Sequence, residues 1–115
     1  MPPTPLKAVF FKTSIGNEPV KEWLLKLRKL DRAAIGADSR TVQIGWPLGM
    51  PLVRKMEPNL WEVCSIITDG IARVLFTLEG DCMVFLHGFV KKSQKTPQGD
   101  LTLAMQRLKE LRGKR

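Results

Sequence analysis

The hydrophobic pattern predicts an α+β domain: an N-terminal strand and a helical hairpin packed on an antiparallel β-sheet, closed by a C-terminal helix. Three observations carry this. Short apolar runs of strand length occupy residues 6–12, 60–68, 71–78 and 82–90. The junctions between the last three runs, Asp69-Gly70 and Glu79-Gly80-Asp81, have hairpin-turn chemistry. Before and after that block, apolar residues recur at helical spacing.

The first five residues hold three prolines and are expected to form an irregular tail. LKAVFFK, residues 6–12, reads as the first strand, and Ser14, Gly16 and Asn17 supply a turn. Asn17 is expected to cap a helix, with Glu18 at the positive end of its dipole and Pro19 in the first turn. Val20, Trp23, Leu24, Leu27 and Leu30 give that helix an apolar face, and Lys21, Lys26, Arg28 and Lys29 fill the remainder. Such a face packs on its own sheet; a membrane surface is the competing reading. Asp31 is expected to cap a second helix over residues 32–44, which Gly36 weakens.

Gly45, Pro47, Gly49 and Pro51 interrupt regular structure, so residues 45–59 read as the longest loop, with Arg54 and Lys55 on it. In the strand that follows, Trp61, Val63 and Ser65 fall on one face and Glu62, Cys64 and Ile66 on the other. The first strand is expected to join the sheet of the three-stranded meander. A final helix runs from about residue 99 to 111, with Leu101, Leu103, Ala104, Leu108 and Leu111 as its apolar face. All helices are expected on one side of the sheet.

The 115 residues are expected to form a single domain, 1–115, whose 43% apolar content supports a core without disulfides. Cys64 and Cys82 are not a CxxC pair and sit in apolar runs, so buried free thiols in a reducing compartment are expected. A bond between them across adjacent strands is the alternative. No apolar run reaches the roughly 20 residues that span a bilayer, and the N-terminus lacks a leader pattern, so the expected location is cytoplasmic. A net charge of +8 points to nucleic acid, an anionic membrane or an acidic protein as partner.

One histidine and two separated cysteines cannot make a zinc site of familiar spacing, and no phosphate loop, dinucleotide fingerprint or nucleophile elbow is present. No metal or cofactor is therefore expected. A Cys64–His87 nucleophile pair has no motif behind it. What remains is a basic surface. CMVFLHGFVKKSQKTP, residues 82–97, carries His87, Lys91, Lys92 and Lys95 on and just beyond a strand. The plain alternative is lysines that blunt a sheet edge.

Arg73, between Ala72 and Val74 on a middle strand, must be paired or open to a groove. Glu62 on the neighbouring strand is one partner; a phosphate gripped by its planar fork is the other. Arg54, Lys55, Lys91, Lys92 and Lys95 would extend a phosphate-binding patch. Trp61 and Phe89 belong to the core or offer a platform for a base. Such a site can cut RNA without metal, because the 2′-hydroxyl is a built-in nucleophile and the protein need only orient it, stabilise the phosphorane and move protons.

The runs LWEVCS, GIARVLFTLEGDCMVFLHGFVKKSQKTP and DLTLA, with the upstream VKEWL and the PLG…P loop, resemble the HigB-like, phage-derived branch of the RelE/ParE toxin superfamily. The resemblance covers essentially the whole chain. Its most specific piece is LHGFVKKSQKTP followed by an acidic residue and a helix. It implies a RelE-like fold and a toxin of a type II toxin–antitoxin system. It further implies a ribosome-dependent mRNA endonuclease, an mRNA interferase that inhibits translation. The partners implied are a helix-turn-helix antitoxin, the ribosome and mRNA.

Residue by residue, Arg73 matches the family's arginine in R-V-L-F, Lys91 and Lys92 its K-K pair, Lys95 the lysine before Thr-Pro, and His87 the histidine of L-H-G-F. Lys92 lies where RelE-type nucleases place a basic phosphate-binding residue. The departure is Cys64: the family commonly reads L-W-E-[LV]-R, and that arginine is a leading catalytic candidate. Losing such a contact in the transition state costs about a hundredfold or more in rate, so a weakened or inactive copy is expected. The chain also has no tyrosine, leaving any family role for a C-terminal Tyr unfilled. The alternatives are an inactive toxin that only binds antitoxin or ribosome, and a ParE-like gyrase inhibitor. The K-K…K-T-P run favours RNA cleavage over the gyrase reading.

Overall fold

The computed structural model describes residues 4–91 and 96–113, so Lys92 and Lys95 lie outside the described residues. The elements in chain order are β1 (Lys7–Phe10), α1 (Pro19–Leu25), α2 (Lys29–Gly45), β2 (Val53–Glu57), β3 (Leu60–Ile67), β4 (Gly70–Glu79), β5 (Cys82–Lys91) and α3 (Gln98–Gly113). They build a five-stranded sheet in the order β1-β5-β4-β3-β2. The α+β class and the strand–hairpin–meander–helix order match the expectation. The sheet is mixed rather than wholly antiparallel, because β1 runs parallel to β5.

The first correction is β2, which lies inside the segment read as a loop. Val53 pairs with Val63, Arg54 with Glu62 and Lys55 with Trp61, before a bulge between Lys55 and Glu57. A short, bulged edge strand is a common device for blunting a sheet edge.

The second correction concerns the layers. Val20, Ile35 and Val42 of the helical hairpin pack with Val63, Val74, Phe76 and Phe85 on one face. Ala104 and Leu108 of α3 pack with Leu60, Leu75, Val84 and Leu86 on the other. The reason lies in β4, where residues 72–77 are all buried. A strand apolar on both faces needs a cover on each.

Local details differ as well. Neither expected cap residue occupies the cap: Glu18 precedes α1, with Pro19 in its first turn, and Arg28 precedes α2. Asp31 sits instead in the first turn of α2, where Oδ1 accepts from the backbone N–H and the hydroxyl of Thr68, 3.0 and 2.7 Å away. Those bonds lower its pKa. Leu30 belongs to α2 and is exposed, so it leaves the apolar face assigned to it. Both cysteines are free and half-buried, and β4 separates their strands, which rules out pairing across adjacent strands. Among the described residues, no helix is long and apolar enough to cross a membrane.

Candidate functional site

The antiparallel register lines up two adjacent rows of side chains on the α3 face, one running Arg54, Glu62, Leu75, His87 and the other Cys64, Arg73, Phe89. Arg54 of β2 lies opposite Glu62 of β3, Cys64 opposite Arg73 of β4, and Arg73 opposite Phe89 of β5. Arg73 takes the ion-paired form. Its Nη1 is 2.5 Å from Glu62 Oε1, with Arg73 2% exposed and Glu62 0%. The second carboxylate oxygen of Glu62 accepts from the Thr96 hydroxyl at 2.7 Å. A buried carboxylate is tolerable on such terms, with charge and hydrogen bonds both supplied. Thr96 immediately precedes Pro97 and α3, so Glu62 also ties the entry of that helix to the sheet.

Cys64 sits over this pair. Its Sγ is 3.5 Å from Glu62 Oε1 and 3.4 Å from Arg73 Nη1. Burial, and then the negative charge of Glu62, push the thiol up to about 11, against the opposing pull of Arg73. A neutral thiol therefore occupies the position where the sequence resemblance implies an arginine. Arg54, Cys64 and Arg73 line one side of an open cleft of ≈ 620 Å³, completed by Asp38 of α2, Met50 and Ile66.

His87 reaches the same face of the sheet through a bulge. The register shifts between Leu75, opposite His87, and Phe76, opposite Phe85, leaving Leu86 as the extra residue. Strict alternation would have sent His87 to the face opposite Leu86. Its neighbour Gly88 turns towards α1, where an added Cβ would lie 2.4 Å from the Trp23 ring.

His87 Nε2 is 2.6 Å from Asp100 Oδ1, and Nδ1 is 3.4 Å from Arg107 Nη1. A guanidinium only donates, so Nδ1 is the atom that faces a donor and Nε2 the atom that faces an acceptor, Asp100. The ring also stacks on Phe89, with centroids 5.6 Å apart. Arg107 donates to the Leu86 carbonyl as well, and burial lowers its pKa.

The sequence candidates thus divide. Arg54, Cys64, Arg73 and His87 share the α3 face, and Lys91 ends β5 opposite Ile71, a residue of the cleft. Lys55 alternates to the other face, opposite Trp61, which packs against Trp46 and Phe76 in the hairpin-side core. Lys92 and Lys95 fall outside the described residues. Sequence reasoning missed Asp38, Thr96, Asp100 and Arg107. For Asp100 there was a signal, the acidic residue that follows the Lys-Thr-Pro run.

Comparison with protein families matches residues 22–109 to the family described as phage derived protein Gp49-like (DUF891). Comparison with curated proteins found no match. The family match spans well over half of the sequence, and the chain belongs to the Gp49-like phage-derived family, a family of RelE/HigB-like toxins in toxin–antitoxin systems.

Proposed function

We propose that residues 1–115 form one HigB-like toxin domain of a type II toxin–antitoxin system, a cytoplasmic, ribosome-dependent mRNA endonuclease. The observation that carries this reading is the position of residue 64. It faces Arg73 directly across the β3–β4 ladder and lines the cleft beside Arg54, so a side chain there would meet a bound phosphate. The partners are mRNA on the ribosome and a helix-turn-helix antitoxin.

In the proposed reaction the 2′-hydroxyl attacks the adjacent phosphorus. The bond to the 5′-oxygen of the next nucleotide breaks, leaving a 2′,3′-cyclic phosphate and a 5′-hydroxyl. One proton leaves the 2′-hydroxyl and another reaches the departing 5′-oxygen. Arg54, Lys91, Lys92 and Lys95 would hold the backbone by charge, with Lys55 adding only long-range attraction. Lys92 would stabilise the phosphorane, and Arg73, neutralised by Glu62, would serve as the rigid floor of the site. His87 would transfer a proton after RNA displaces Asp100 or Arg107 from its ring.

Cys64 supplies no fixed charge, which supports a slow enzyme or, at the limit, a toxin that binds without cutting. The test is induced expression without antitoxin, followed by mapping of mRNA 5′ ends. Cuts within translated codons support the nuclease reading, and their absence from cells containing folded protein overturns it.

A further inference from the structure

The cleft beside Arg54 has walls that phosphate binding does not explain. Ala34 of α2, Met50 and Ile66 form them, and Met50 and Ile66 are 74% and 85% exposed. Aliphatic side chains held in water around a concave site suit a flat apolar partner. The same walls carry a single carboxylate, Asp38, one turn beyond Ala34 on the same side of α2. Among the described residues, none gives the Asp38 side chain a hydrogen bond or an ion pair. A carboxylate repels a phosphate backbone, so its target must be rich in donors.

Among the RNA bases, guanine alone presents two adjacent N–H donors on its pairing edge, the ring N1–H and the N2 amino group. Adenine and cytosine set an acceptor nitrogen beside the amino group, and uracil has one N–H between two carbonyls. A carboxylate accepts two parallel N–H bonds from guanine much as it does from a guanidinium. Unpaired RNA offers that edge freely.

We propose that this cleft is a guanine pocket, with the base between Met50 and Ile66, its pairing edge read by Asp38 and its phosphate facing Arg54. The proposal rests on the RNA-cleaving reading and names the base that the site selects.

The experiment is a titration of the isotope-labelled protein with guanosine, adenosine, cytidine and uridine 5′-monophosphates, followed by NMR. Guanosine monophosphate should perturb the amides of Ala34, Asp38 and Ile66 and bind at least about fivefold more tightly than the other three. Asp38→Asn should abolish that preference while leaving the remaining amide spectrum in place. Equal response to all four nucleotides, perturbation confined to the His87 side of the sheet, or a preference that survives Asp38→Asn would overturn the pocket. Cleavage of mRNA by a protein with no guanine preference would also overturn it, and leave the nuclease reading standing. Asp38-dependent guanine binding without any cleavage would do the reverse.

Discussion

Arg73 Nη1 and Glu62 Oε1 are 2.5 Å apart, and both side chains are sealed from solvent. The pair stands beneath the candidate site and shares contacts with Cys64 and Thr96. Removing one charge strands the other. Glu62→Ala or Arg73→Ala should each destabilise the fold by about 3–5 kcal/mol, whereas replacing both with Met should cost much less. Urea unfolding of the three variants, analysed as a double-mutant cycle, measures this. Additive costs would contradict the pairing.

The Thr96 hydroxyl gives the second bond to that buried carboxylate. Thr96→Val should cost about 1–3 kcal/mol by leaving Glu62 Oε2 unsatisfied. It should also raise hydrogen exchange in the first turn of α3, since Thr96 leads into that helix. Unchanged exchange there would show that α3 is seated by Ala104 and Leu108 alone.

Cys64 predicts a pH dependence. Its thiol is raised from an ordinary 9.0 to about 11, so the folded protein holds a proton that the unfolded chain releases earlier. This contribution to stability is fully present below about pH 9 and is lost as the pH climbs towards 11. Denaturation midpoints between those values should fall more steeply for the native chain than for Cys64→Ser. Alkylation of Cys64 in the folded protein should likewise be slow at pH 8, since the thiolate is the reactive form.

Much of this was legible in the sequence, and what was not has specific causes. The meander, the α1 face from Val20 to Leu27 and the choice of partners for Arg73 all follow from period-two and helical spacing, whereas Leu30 does not keep to that face. β2 was hidden because four glycines and prolines precede it and its bulge breaks the alternation. Periodicity defines a helix's apolar face but not which side of a sheet it covers, so the seat of α3 came only from seeing β4 buried on both sides. The bulge at Leu86 was also invisible, and with it the swing of His87 towards Asp100.

Gly88 gives a further check. Trp23 fills the space where its side chain would be, at 2.4 Å from an added Cβ. Gly88→Ala should therefore destabilise the protein by about 1–3 kcal/mol, and Trp23→Leu should recover part of that loss in the double variant. Thermal unfolding of the single and double variants decides it. A neutral Gly88→Ala would mean that α1 is free to shift from β5.

The most direct test of the account is the rate at which purified protein and its Cys64→Arg variant cut mRNA on programmed ribosomes. Residue 64 opens onto the cleft beside Arg54 and touches the buried Arg73–Glu62 pair, so a guanidinium there would reach phosphate and be held by Glu62. Folded Cys64→Arg protein should cut at least about a hundredfold faster than the native chain. A folded variant that cuts no faster would contradict it, and residue 64 would then lie outside the chemistry.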